Sequence, residues 1–204
     1  MTAQQALVLT KLNLGQSLEL KKVPELKVLR IDLIWSMKTT DGPEFDLDLC
    51  ALFLDENDKC ITQTDGSVGL LFWDNLKSAD GAMWRTKDAL TGGTESMWID
   101  LTKAVDPRIK RIQIVATIWD AERRKQTFGK IKQAEVKLVN ETTQEQIGFY
   151  DLDENYESST AILLGYVTRQ PDGSFKLKAL GEGASKGLEH FLREAGINAT
   201  VKYD

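Results

Sequence analysis

Apolar and polar residues alternate with a period of two along most of the chain, the spacing that turns one face of a β-strand toward a core and the other toward solvent. The clearest segments are SLELKK (17–22), ELKVLRIDLIW (25–35), FDLDLCALFL (45–54), VGLLFW (68–73) and MWIDL (97–101). The series continues with KRIQIVATIW (110–119), IKQAEVKLV (131–139), EQIGFYDL (145–152), AILLGYVTR (161–169) and SFKLKAL (174–180). In the second of these, Leu29, Ile31, Leu33 and Trp35 share one face while Arg30 and Asp32 take the other, as in a sheet buried on one side. Turn dipeptides punctuate the series at Asp41-Gly42, Asp65-Gly66, Asp80-Gly81 and Asp172-Gly173. About ten short strands arranged in this way predict an all-β fold, a two-sheet sandwich.

The period changes once, near the end. In SKGLEHFLREAGI, Leu188, Phe191, Leu192 and Ala195 recur at helical spacing and Gly196 is placed to stop the helix. This predicts a C-terminal helix at about 185–195 lying on the sandwich, with His190, the sole histidine, at its surface or edge. With 204 residues, 42% of them hydrophobic, the chain is expected to form a single domain over 1–204.

Charge narrows the partners. A net charge of -5 leaves no basic excess to neutralise a phosphate backbone, so nucleic acid is not an expected partner. No apolar run reaches membrane-spanning length, and the N-terminus lacks a basic region followed by a long apolar stretch, so a cytoplasmic protein is expected. Cys50 and Cys60 give neither a disulfide framework nor a paired zinc motif.

FDLDLCALFL holds the most informative conflict. Phe45, Leu47, Leu49, Ala51 and Phe53 form one apolar face, while the other carries Asp46 and Asp48 before turning apolar at Cys50, Leu52 and Leu54. A carboxylate is not desolvated without a partner. Either this end of the strand opens to water, the commoner arrangement for one strand taken alone, or a cation neutralises it. Asp41, Glu44, Asp74, Asn75, Asp80, Asp88 and Glu95 lie in nearby stretches, and hard cations such as calcium take six to eight oxygens from such groups. DENDKCITQTDG (55–66) imitates a calcium loop but places Cys60 at the glycine position and Gly66 at the final acid, so it reads as a solvated turn.

Long stretches of the chain resemble the tellurium-resistance TerD family of bacterial stress proteins: TDGPEFDLDLCALFLDENDK (40–59), NLKSADGAMWRTKDALTG (75–92), DAERRKQTFGKI (120–131) and most of 137–188. The resemblance implies a two-sheet sandwich, calcium binding where the acidic motif is complete, and a role in stress response. It places Asp46, Asp48, Asp74, Asn75, Asp88 and Glu95 at the family's metal positions. The same resemblance marks departures, with Lys87 for a glycine, Ala89 for an asparagine, Gly93 and Thr94 at two aspartate positions, and a loop shorter by about four residues. Fewer carboxylates and carbonyls predict a weak or single calcium site.

Three further features take ordinary readings. Arg123, Arg124 and Lys125 form either a solvated basic loop or a docking spot for an acidic partner. GEGASKG (181–187) lacks the P-loop Lys-Ser/Thr, so Gly181 and Gly183 are expected to allow a tight turn and close packing. Trp35, Trp73, Trp84, Trp98 and Trp119 are expected in core packing. The functional expectation is a non-enzymatic TerD-family module with a degraded calcium motif. Its alternative is a metal-independent scaffold that binds other stress or tellurite-resistance proteins, and an enzyme built on paired carboxylates is the weakest of the readings.

Overall fold

The alternating segments become strands in the computed structural model, which describes residues 10–37, 44–86, 93–103, 106–152 and 156–202. The first strands in chain order are β1 (Thr10–Lys11), β2 (Ser17–Glu19), β3 (Val28–Met37), β4 (Leu47–Leu54), β5 (Leu70–Leu71) and β6 (Met83–Arg85). They are followed by β7 (Thr94–Asp100), β8 (Arg111–Ile118), a one-turn helix α1 (Ala121–Arg124), β9 (Ile131–Asn140) and β10 (Glu145–Asp151). The chain ends with β11 (Ala161–Arg169), β12 (Phe175–Ala184) and helix α2 (Gly187–Glu194). One sheet has the order β1-β10-β9-β3-β7-β6 and the other β2-β12-β11-β8-β4-β5. Pairing is antiparallel throughout except between β1 and β10.

Between the sheets lies one core, in which Leu29, Ile31 and Leu33 of β3 face Leu47, Leu49, Ala51 and Phe53 of β4 and Ile112 and Ile114 of β8. The other face of β4 is buried as well. Cys50, Leu52 and Leu54 join Val115 of β8 and Ala161 and Leu163 of β11 beneath Leu188, Phe191, Leu192 and Ala195, so α2 covers the outside of the second sheet. This explains why the strand turns apolar on both faces midway. The helix start is held by Gly187 N–H donating to Thr160 Oγ1 at 2.9 Å. Its last carbonyls accept from the loop after β4, Cys60 N to Ala195 O at 2.9 Å and Lys59 Nζ to Glu194 O at 2.9 Å. These bonds satisfy groups that a helix end leaves open.

Two strands escape the sequence pattern, since β1 and β6 span two and three residues, too short to show a period. VGLLFW shortens to Leu70–Leu71. Gly181 and Gly183 lie within β12 rather than in a turn. What they permit is close packing: a Cβ at Gly183 would stand 2.2 Å from Ser159 Oγ, and one at Gly181 2.5 Å from Tyr156 Oη. Trp35 is in the core, but Trp84 and Trp98 stack on the outer face of the first sheet, centroids 6.0 Å apart and planes 5° apart.

Candidate functional site

β4 runs beside β8 along its whole length, while β5 pairs only with Ala51 and Leu52 on its other edge among the described residues. The N–H of Leu49 therefore points away from β8 with no strand to receive it. Glu95 at the start of β7 fills that place, its Oε2 accepting from Leu49 N at 2.7 Å. Glu95 reaches across because β7 alternates, with Glu95, Met97 and Ile99 buried on the inner face and Ser96 and Trp98 turned out.

A second contact closes the seam. Arg85 pairs with Met97 across β6 and β7, so Glu95, two residues earlier, lies diagonal to it on the same inner face. Arg85 Nη2 donates to Glu95 Oε1 at 2.8 Å and Oε2 at 2.7 Å, and to Asp48 Oδ1 at 3.2 Å. Asp48 and Glu95 have no exposed surface, and Arg85 is buried as well. Burial works against charge on Arg85, but Glu95, Cys50 and Asp48 carry its pKa above the ordinary arginine value. The reverse applies to the Cys50 thiol: burial, with the charge of Asp48 beside it, pushes its pKa well up.

The open-water reading of this strand end is thereby overturned. Asp46 is 6% exposed and Asp48 fully enclosed, and the cation that meets Asp48 is a guanidinium of the same chain. Arg85 went unrecognised in the sequence because an arginine in a short polar-flanked segment reads as solvated by default. Its signal was the alternation Met83, Trp84, Arg85, which puts Arg85 on the side of the buried Met83.

The remaining proposed ligands are dispersed. Asp74 is exposed in the turn after β5, and Asn75 closes that turn, its Nδ2 donating to Leu70 O at 2.7 Å. Asp80 caps another turn through Ser78 Oγ at 2.6 Å and Ala82 N at 2.9 Å. Asp88 lies outside the described residues. The geometry does not fit a calcium ion between Asp48 and Glu95, because both carboxylates already converge on a guanidinium that would repel it. Among the described residues no group of three or more His, Cys, Asp or Glu side chains could hold a metal.

The basic loop separates into different roles. Asp120 and Lys125 flank α1 in the left-handed region, with φ of 48° and 52°. The exposed Arg123 pairs with the buried Asp120, and Lys125 is exposed. Arg124 folds back over the Trp119 ring at 5.4 Å and donates Nη2 to Glu44 O at 2.8 Å, beside which Gln126 Nε2 also donates at 3.3 Å. Arg124 and Gln126 thus anchor the segment that leads into Asp46. His190 is half-exposed, 3.5 Å from Glu194 and edge-on to Phe191.

Two sheets, six-stranded among the described residues, joined by a buried acidic seam and covered on one face by a C-terminal helix, define a β-sandwich. The TerD domain model matches residues 8–194, and the chain belongs to the TerD family. It is 38% identical to the tellurium resistance protein TerD of Alcaligenes sp over 184 residues, 88% of this chain and 93% of the relative. General stress protein 16U of Bacillus subtilis (strain 168) is 35% identical over 189 residues, 90% of this chain and 95% of that one. The fold matches the crystal structure of a Streptomyces coelicolor A3(2) homologue of telluride resistance protein (TerD), with TM-score 0.65, 19% identity, and coverage of 81% and 95%.

Proposed function

We propose that this chain is a non-catalytic stress-response module, acting by binding to other proteins, whose sandwich does not depend on a metal. The observation that carries this reading is the seam: Asp48 and Glu95, the acids most suggestive of a metal or of catalysis, are enclosed and held by Arg85. Other reactive groups support it. Cys50 is buried, burial raises the Cys60 thiol to about 11, and His190 sits at the surface beside Glu194. None of these is a nucleophile set against a base, the arrangement that covalent catalysis needs.

The names of the relatives, tellurium resistance protein and general stress protein, give the direction in which the role lies. The test is twofold. Expression in a bacterial strain lacking its own TerD-family genes should raise survival on tellurite, and no protection there would sink the stress role. Thermal unfolding of the wild-type chain in chelator and in millimolar calcium should give the same midpoint. A calcium-selective rise would overturn metal independence.

A further inference from the structure

We propose that the cleft between α1 and α2 is a binding site for the phosphate group of a small molecule, with Lys125 and Lys186 as its cations. The site goes beyond the protein-binding role above and stands whether or not that role holds.

Two segments far apart in the chain meet here. The basic run 123–125 and the glycine-rich stretch 181–187 contribute to two sides of one cleft of about 750 Å³, which Ile118 and Thr160 also line. A volume of that size is what a small organic ligand fills, roughly 300–1,000 Å³. One side brings Lys125 and Thr127, the other Ser185 and Lys186.

The charges that line the cleft divide into those already engaged and those left over. Glu189 is engaged, its Oε2 accepting from Arg193 Nη2 at 3.2 Å and its Oε1 from Val201 N at 2.9 Å, so this pair adds no net charge. Of the basic run, Arg123 is taken by Asp120, and Arg124 by the Trp119 ring and Glu44 O. Lys125 and Lys186 remain. Both are exposed, and among the described residues neither ammonium has a carboxylate or hydrogen-bond partner. Against these two cations stands the single carboxylate of Glu122.

The position of Lys186 sharpens the point. It occupies the N-cap of α2, where Ser, Thr, Asp or Asn is favoured because such a side chain accepts from the first turn, and no side chain caps this helix. An ammonium there adds to the positive end of the helix dipole, an unfavourable placement that a bound anion reverses. The two lysines supply charge and Thr127 and Ser185 supply hydroxyl donors, a set matched to phosphate oxygens. Glu122 accepts hydroxyl donors from the organic part of a phosphate ester.

Both sides are fixed in advance. Lys125 holds a left-handed backbone, φ 52°, and its carbonyl accepts from Lys130 Nζ at 2.6 Å. Across the cleft, Gly187 N donates to Thr160 Oγ1 at 2.9 Å and Thr160 N to Ala184 O at 2.8 Å. Ordering on binding is confined to side chains, which limits its entropic cost.

The experiment is isothermal titration calorimetry of the full-length protein at low ionic strength with glucose 6-phosphate, inorganic phosphate and glucose. Wild type should bind glucose 6-phosphate with a Kd of about 1 mM or below, should not bind glucose, and should lose affinity as salt is raised. K125A and K186A should each weaken binding roughly tenfold, whereas K132A, which removes an exposed cation outside the cleft, should leave it unchanged. Since both cleft lysines are exposed, their variants should melt with the wild type, which separates loss of binding from loss of fold. Inorganic phosphate binding as tightly as the ester supports the site with the free anion as its ligand. A preference for the ester that E122A abolishes supports it with a phosphorylated molecule. The proposal is overturned if neither phosphate compound gives saturable binding up to about 20 mM, if the K125A/K186A double variant binds as the wild type does, or if K132A weakens binding as much as the cleft variants.

Discussion

Glu95 makes its bonds to Arg85 and to the Leu49 N–H from a position without solvent access. Removing one partner of such a group strands the others, so Glu95→Ala should cost about 3–5 kcal/mol in urea unfolding. A loss below about 1 kcal/mol would mean that water replaces the carboxylate. Gly165 poses a steric case, since a Cβ there would stand 2.3 Å from Lys178 O at the bulge between β11 and β12. Gly165→Ala should destabilise by about 1–3 kcal/mol, because the obstacle is backbone. The thiols allow a chemical check. With Cys60 raised to about 11 by burial, it is roughly 0.1% thiolate at pH 8, so native protein should react with Ellman's reagent far more slowly than unfolded protein. At this scale the acids of β4 were legible from their break in the alternation. Arg85 was not, because its meaning depends on a neighbour ten residues away in Glu95 and another across the sandwich in Asp48.

β4 is buried on both faces, and the reason lies in α2. Phe191 packs in the cluster with Leu52 and Val115, so Phe191→Ala should cost about 3–5 kcal/mol and loosen the helix before the sandwich, visible as early loss of hydrogen-exchange protection in 187–194. The loop around α1 offers a paired comparison. Arg124→Ala removes the bond to Glu44 O and the contact with Trp119, and should cost about 1 kcal/mol. Arg123→Ala takes a mostly exposed guanidinium away from Asp120, which is buried, and should cost no more than about 1 kcal/mol in urea unfolding, a larger loss showing that water does not replace it. The helix was readable from Leu188, Phe191, Leu192 and Ala195, and most strands from their period. β1 and β6 were not, because two or three residues do not establish a period and their strand character comes from the neighbours they pair with.

Among the described residues, the carboxylates whose pKa values fall lie in turns or at a strand end, Asp100 closing β7. Hydrogen bonds from Ser67 lower Asp65, and those from Lys59 and Asn57 lower Asp55. Hydrogen bonds from Lys21 and Ser174, and the Lys21 charge, lower Asp172. A folded pKa below the unfolded value of about 3.9 gives stability that is complete above that value and is lost as pH falls through the folded one. Urea midpoints should therefore hold level from pH 7 to about 5 and drop below about pH 4, and a decline that begins above pH 5 would point to another group. The seam between the sheets has a different dependence on its surroundings. A diffusible ion leaves at a rate and returns at a rate set by its concentration, whereas Arg85 is tethered two peptide bonds from Met83 in β6, so its effective concentration at Asp48 and Glu95 is fixed by the chain. The joint closes at the same moment that β6 docks, in any ionic medium, and opens only when that strand does.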